Sequence, residues 1–71
     1  MTIDCILQMN QAGLILSKDP ELEPRQREDA GLIATTFDQI ATKHGVVDRL
    51  DPKHKPDPDK YEFILSLIGG K

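Results

Sequence analysis

Cysteine occurs once in this 71-residue sequence, tryptophan not at all, and the aromatic side chains are only Phe37, Tyr61 and Phe63. Each shortage excludes something. A lone Cys5 permits no internal disulfide and cannot assemble a zinc site. No apolar run approaches the roughly 18 residues of a membrane span, so no membrane partner is expected. Met1 to Cys5 carries no basic n-region of a secretory signal. With a single thiol, the cytoplasm is the expected compartment. Positive charge is also in short supply. Nine Lys and Arg against twelve Asp and Glu leave a net charge of -3, with the basic residues scattered among the acidic ones. Phosphate binding needs clustered Lys and Arg, so nucleic acid is not the expected partner.

What remains is an aliphatic sequence, 38% hydrophobic, whose core must come from Leu, Ile, Val, Ala and Met. Residues 1–71 make one domain near the lower limit of independent folding. A core of that size supplies about 3–5 kcal/mol, and small proteins add disulfides, metals or a partner to it. The first two are ruled out here, which leaves association. The pattern predicts an all-α domain of three helices, a helical hairpin plus a C-terminal helix. The helices fall at about 3–17, 24–44 and 58–68, with proline-containing connectors over 18–23 and 46–57.

The first helix has Thr2 as its N-cap. At 100° per residue Cys5, Met9, Ala12 and Leu16 line one side, and Ile3, Leu7 and Leu14 line nearly the opposite one. Ile6 and Gly13 lie on an edge between them, and Asp4, Gln8, Gln11 and Lys18 fill the polar remainder. In the first connector Asp19-Pro20 can cap a single turn, and the next helix starts at Pro24. Ala30, Ile33, Phe37, Ile40 and His44 form one stripe along it, widened by Ala34 and Ala41. Leu32 projects from the polar side, and Gly45 ends the helix as its C′ residue. Pro52, Pro56 and Pro58 keep the second connector extended. Asp57-Pro58-Asp59 then reads as cap, first helical position and acidic first turn. Tyr61, Ile64, Leu65 and Ile68 follow at helical spacing, ended by Gly69-Gly70. Residues 61–68 are also rich in β-formers, so a strand is the competing assignment, and the capping signal favours the helix.

Candidate chemistry is thin. His54 lies among Asp51, Asp57 and Asp59, but the spacing matches no EF-hand, and Lys53 and Lys55 would repel a cation. The segment reads as a solvated loop. Cys5 has no base nearby in sequence and reads as a small hydrophobe. His44 reads as a packed or dipole-facing histidine. No phosphate loop, paired carboxylates or nucleophile–base arrangement can be assembled, so no enzyme, metal, cofactor or small-molecule substrate is expected.

One stretch carries a resemblance. Gln39 to Val46, reading Gln-Ile-Ala-Thr-Lys-His-Gly-Val, resembles the first helix and turn of a helix-turn-helix DNA-binding unit. There an Ala packs on the second helix and a Gly permits the tight turn. The resemblance implies a small DNA-binding transcriptional regulator as the alternative function. Where the recognition helix should follow, Val47 to Pro52 is interrupted by proline, and no DNA-contacting residue carries over.

The remaining feature is surplus apolar surface. On the third helix Phe63 and Leu67 point away from the Tyr61/Ile64/Leu65/Ile68 side. A three-helix monomer buries about one stripe per helix. Burying one Leu or Ile contributes about 1.5–3 kcal/mol, so several left wet would weaken a small fold. Ile3, Leu7, Leu14, Phe63 and Leu67 are therefore the expected partner-binding residues. The expectation is a non-enzymatic, homodimeric protein that binds another protein, with the acidic stretch from Asp19 to Asp29 and the proline connector as specificity surfaces. The alternative is a monomer with a wider core.

Overall fold

A computed structural model of the chain describes residues 2–69. It contains α1 (Ile3–Leu16), α2 (Pro24–Lys43) and α3 (Pro58–Leu67), with no strand among the described residues. The segment rich in β-formers is helical, and Gly70 lies outside the described residues.

The helix ends follow local chemistry. Thr2 Oγ1 accepts the Cys5 N–H at 3.1 Å, satisfying one of the amides a helix start leaves without a partner. Before α2, Asp19 Oδ1 accepts the Glu21 N–H at 2.9 Å, and the chain turns without forming a further helix. Pro24 then opens α2, where its missing N–H has no intrahelical acceptor to lose. The Gln26 side-chain carbonyl reaches back to the Glu23 N–H at 2.9 Å. Gly45 and Gly69, both with positive φ, turn the chain after α2 and α3. Asp57 occupies the N-cap position of α3, but its side chain accepts no capping bond. Its carboxylate lies 4.0 Å from Lys60 Nζ instead.

Helices α1 and α2 form an antiparallel hairpin. Ser17 lies beside Gly31, and Gly13 beside Ala30 and Ala34, while the Asn10 amide donates to the Ala34 carbonyl at 2.8 Å. The approach is close because the facing residues are small. A Cβ on Gly13 would sit 2.9 Å from the Ala34 Cβ and 3.0 Å from the Ala30 carbonyl oxygen. The third helix packs chiefly on α1 and only slightly on α2. Ile64, Leu65 and Ile68 meet Met9, Ala12, Leu16 and Ala30 in the core, and Cys5, Leu22, Ile33, Phe37 and Tyr61 pack around it.

One expectation is corrected here. Gln8 and Gln11, assigned to the polar side of the first helix, are buried, as is Asn10. The second connector, residues 46–57, folds back across α1 and covers Gln8 and Gln11, while Asn10 is held against α2. We call this segment the strap. Helix α1 is thereby enclosed on three sides, by α2, by α3 and by the strap. Only the strip carrying Ile3, Leu7 and Leu14 stays open, with Ile3 and Leu14 exposed and Leu7 half-buried.

Gly13→Ala should destabilise the protein by about 1–2 kcal/mol in urea unfolding. Prying apart two backbones costs about 1–3 kcal/mol and outweighs the helix-propensity gain of about 1 kcal/mol. Gly31→Ala, whose Cβ meets only the Ser17 Cβ at 3.8 Å, should be neutral or stabilising in the same assay.

Candidate functional site

The strap is held by side chains from both hairpin helices. Gln11 Nε2 donates to the carbonyl oxygens of Asp51, Pro52 and His54, at 3.0, 3.2 and 3.0 Å. Its two hydrogens serve three acceptors, so one is shared. Gln8 Oε1 accepts the Asp57 N–H at 3.1 Å, and its Nε2 lies 3.4 Å from His54 Nε2. At the other end Arg49 clamps the strap to α2. Its Nε lies 2.6 Å from Asp38 Oδ1. Its two terminal nitrogens donate to the carbonyls of Val46, Asp48 and Asp38 and to Thr42 Oγ1, at 2.8 to 3.1 Å. A planar fork with five donors suits this work, and an ammonium could not reproduce it. No buried side-chain nitrogen or oxygen among the described residues lacks a partner.

Other polar side chains singled out from the sequence lie mostly at the surface. Asp38 is half-buried against Arg49. His44 is not packed. It is exposed at the C-terminal end of α2. His54, Asp51, Asp57 and Asp59 are all exposed, and no cluster of three or more His, Cys, Asp or Glu among the described residues converges on a point that could hold a metal. The helix-turn-helix resemblance ends at the turn. After Gly45 no helix forms through Asp57, so the turn does not lead directly into a second helix as in that unit. Arg49 is fully engaged within the fold.

The five expected partner-binding residues fall into two patches. Ile3, Leu7 and Leu14 lie along the open strip of α1. Phe63 (47% exposed) and Leu67 (55%) form a ridge on α3, which packs against the other side of α1. The structure therefore separates the two groups by the width of the central helix. Leu32 and Val47 are exposed but isolated from both runs in sequence.

Two adjoining grooves, not foreseen from sequence, flank Ile15. One, of about 290 Å³, is lined by Leu14, Ile15, Lys18, Leu50 and Pro52 beside Gln11 and Arg49. The other, of about 520 Å³, is lined by Ile15, Lys55, Pro56, Pro58, Tyr61 and Glu62. Burial, and after it the negative charges of Asp19, Glu62 and Glu21, push the Tyr61 phenol above its ordinary value. In sequence the only hint of these grooves was the run of prolines, whose rings can line a trough without needing N–H partners.

Set against protein-family models, curated proteins and solved structures, the chain has no match in any of the three.

Two outcomes check the attachment of the strap. Gln11→Met keeps the bulk but removes the donor from three carbonyls, and should cost about 1–3 kcal/mol in chemical denaturation. Arg49→Lys should lose about 1 kcal/mol, because a single ammonium replaces the fork.

Proposed function

We propose that this protein is a non-enzymatic helical interaction module, pairing with itself and binding another protein through apolar surface that its own core leaves uncovered. The observation that carries this reading is the Phe63–Leu67 ridge. Two large apolar side chains one turn apart stay about half exposed, although the fold had Ile64, Leu65 and Ile68 to fill the core from the same helix. Single exposed apolar residues are ordinary, whereas a ridge on a helix otherwise anchored by its opposite side matches helix-face recognition. The open strip of Ile3, Leu7 and Leu14 offers a second apolar surface on the other side of α1. Neither patch contributes a nucleophile, a general base or a phosphate cradle, and binding is the chemistry such surfaces perform.

The test uses sedimentation of labelled protein in host extract. Wild type should sediment within a discrete larger complex. Phe63→Asp with Leu67→Asp should return it to the size seen in buffer, and Leu32→Asp should leave the complex intact. A complex indifferent to the ridge substitutions, or no complex, would contradict the reading.

A further inference from the structure

The strap joins the fold by a different kind of contact from the helices. No strap residue belongs to the core or packs around it. None of residues 46–57 is buried, and only Val46, Arg49, Leu50 and Pro56 are half-buried. Among the described residues, the hydrogen bonds that join residues 50–57 to α1 all end on Gln8 or Gln11. The segment is not drawn taut either. The His54 N–H donates to the Asp51 carbonyl at 2.8 Å, and this turn stores slack between the Arg49 clamp and Pro58.

We propose that residues 50–57 open from α1 and close on it again while the three helices stay packed, with the Arg49 clamp and the start of α3 as the fixed ends. Opening exchanges hydrogen bonds to the Gln8 and Gln11 amides for hydrogen bonds to water, at a modest cost per bond, and it exposes little apolar surface. Separating the helices would instead wet the core. A segment with few buried apolar contacts opens at a fraction of the free energy that unfolds the whole. The two amides raise no obstacle, since each passes directly from the strap to solvent. Gln11, Leu14 and Ile15 share one groove with Leu50 and Pro52. Lifting the strap therefore adds Gln8, Gln11 and Ile15 to the strip of Ile3, Leu7 and Leu14 that already lies open. The strap thus sets how much of α1 a partner can reach. That consequence rests on the proposed function, whereas the opening itself does not.

The experiment is amide hydrogen exchange of the full chain in rising urea, below the unfolding transition. The Asp57 N–H, held by Gln8 Oε1, reports the strap. The Ala12 and Ala34 N–H groups, on buried residues inside α1 and α2, report the hairpin. About 1.5 M urea should speed Ala12 and Ala34 at least roughly tenfold and Asp57 less than about twofold, because urea acts in proportion to the surface that each opening exposes. Gly13→Ala, which pries α1 from α2 and leaves the strap untouched, should speed Ala12 and Ala34 at least roughly fivefold and leave Asp57 unchanged. Asp57 quickening in step with Ala12 and Ala34 would overturn the proposal, since the strap would then leave only when the helices do. An unprotected Asp57 would overturn it too, because no closed state would exist. The urea series uses the wild-type chain and decides the matter if Gly13→Ala does not fold. Neither readout depends on a partner, so failure here leaves the test of the Phe63–Leu67 ridge unaffected.

Discussion

Gln11 spends the hydrogens of one buried amide on three carbonyl groups of the strap, and the arrangement of the molecule follows from that attachment. Pro52 and Pro56 remove two N–H groups from the strap, and its pairing with itself is local, the His54 N–H donating to the Asp51 carbonyl at 2.8 Å. The strap needs a donor, and Gln11 brings one from the central helix. Gln8 accepts the N–H of Asp57 at the end of the strap. Asn10, between them in sequence, reaches the opposite way to the Ala34 carbonyl of α2. Three amide side chains within four residues thus fasten α1 to its neighbours on two sides, while its apolar side receives α3.

This division of labour explains how so short a chain encloses a helix. Two helices and one irregular segment surround α1, and the small residues at Gly13, Ala30 and Ala34 bring the hairpin backbones close enough for Asn10 to bridge them. Arg49 ties the strap to α2 before it crosses α1, so the strap is fixed at both ends of its path. Its prolines, turned outward between those anchors, supply walls to the trough around Ile15. The same attachments that stabilise the fold therefore shape its most concave surface.

The helices themselves were legible. Thr2, Pro24 and Gly45 each mark an end by a mechanism that acts locally, and the stripe along α2 and the Tyr61/Ile64/Leu65/Ile68 spacing mark the faces that pack. The all-α hairpin with a third helix follows from those signals. What could not be read was non-local. Gln8 and Gln11 look like solvent-facing residues because their burial depends on a strap some forty residues away. Ile15 and Pro56 reveal a groove only once that strap is laid down. Asp57 was read as a capping side chain, but its backbone, not its carboxylate, is the functional group, since the N–H is held by Gln8. A signal was present in retrospect: Gln8, Asn10 and Gln11 crowd one helix of a chain that also carries a segment interrupted by Pro52 and Pro56. Surplus apolar residues were legible as a list, whereas their division into a strip on α1 and a ridge on α3 required knowing where α3 packs.

The account depends on the strap being bound to α1 and not merely lying near it, and amide hydrogen exchange of Asp57 measures this most directly. If the Gln8 side chain holds that N–H, it should exchange at least roughly a hundredfold slower than an unstructured amide, while Val47, exposed at the outer part of the strap, exchanges freely. Asp57 exchanging as fast as Val47 would mean that the strap is not fastened to α1, and would contradict both the enclosure of the central helix and the trough that depends on it.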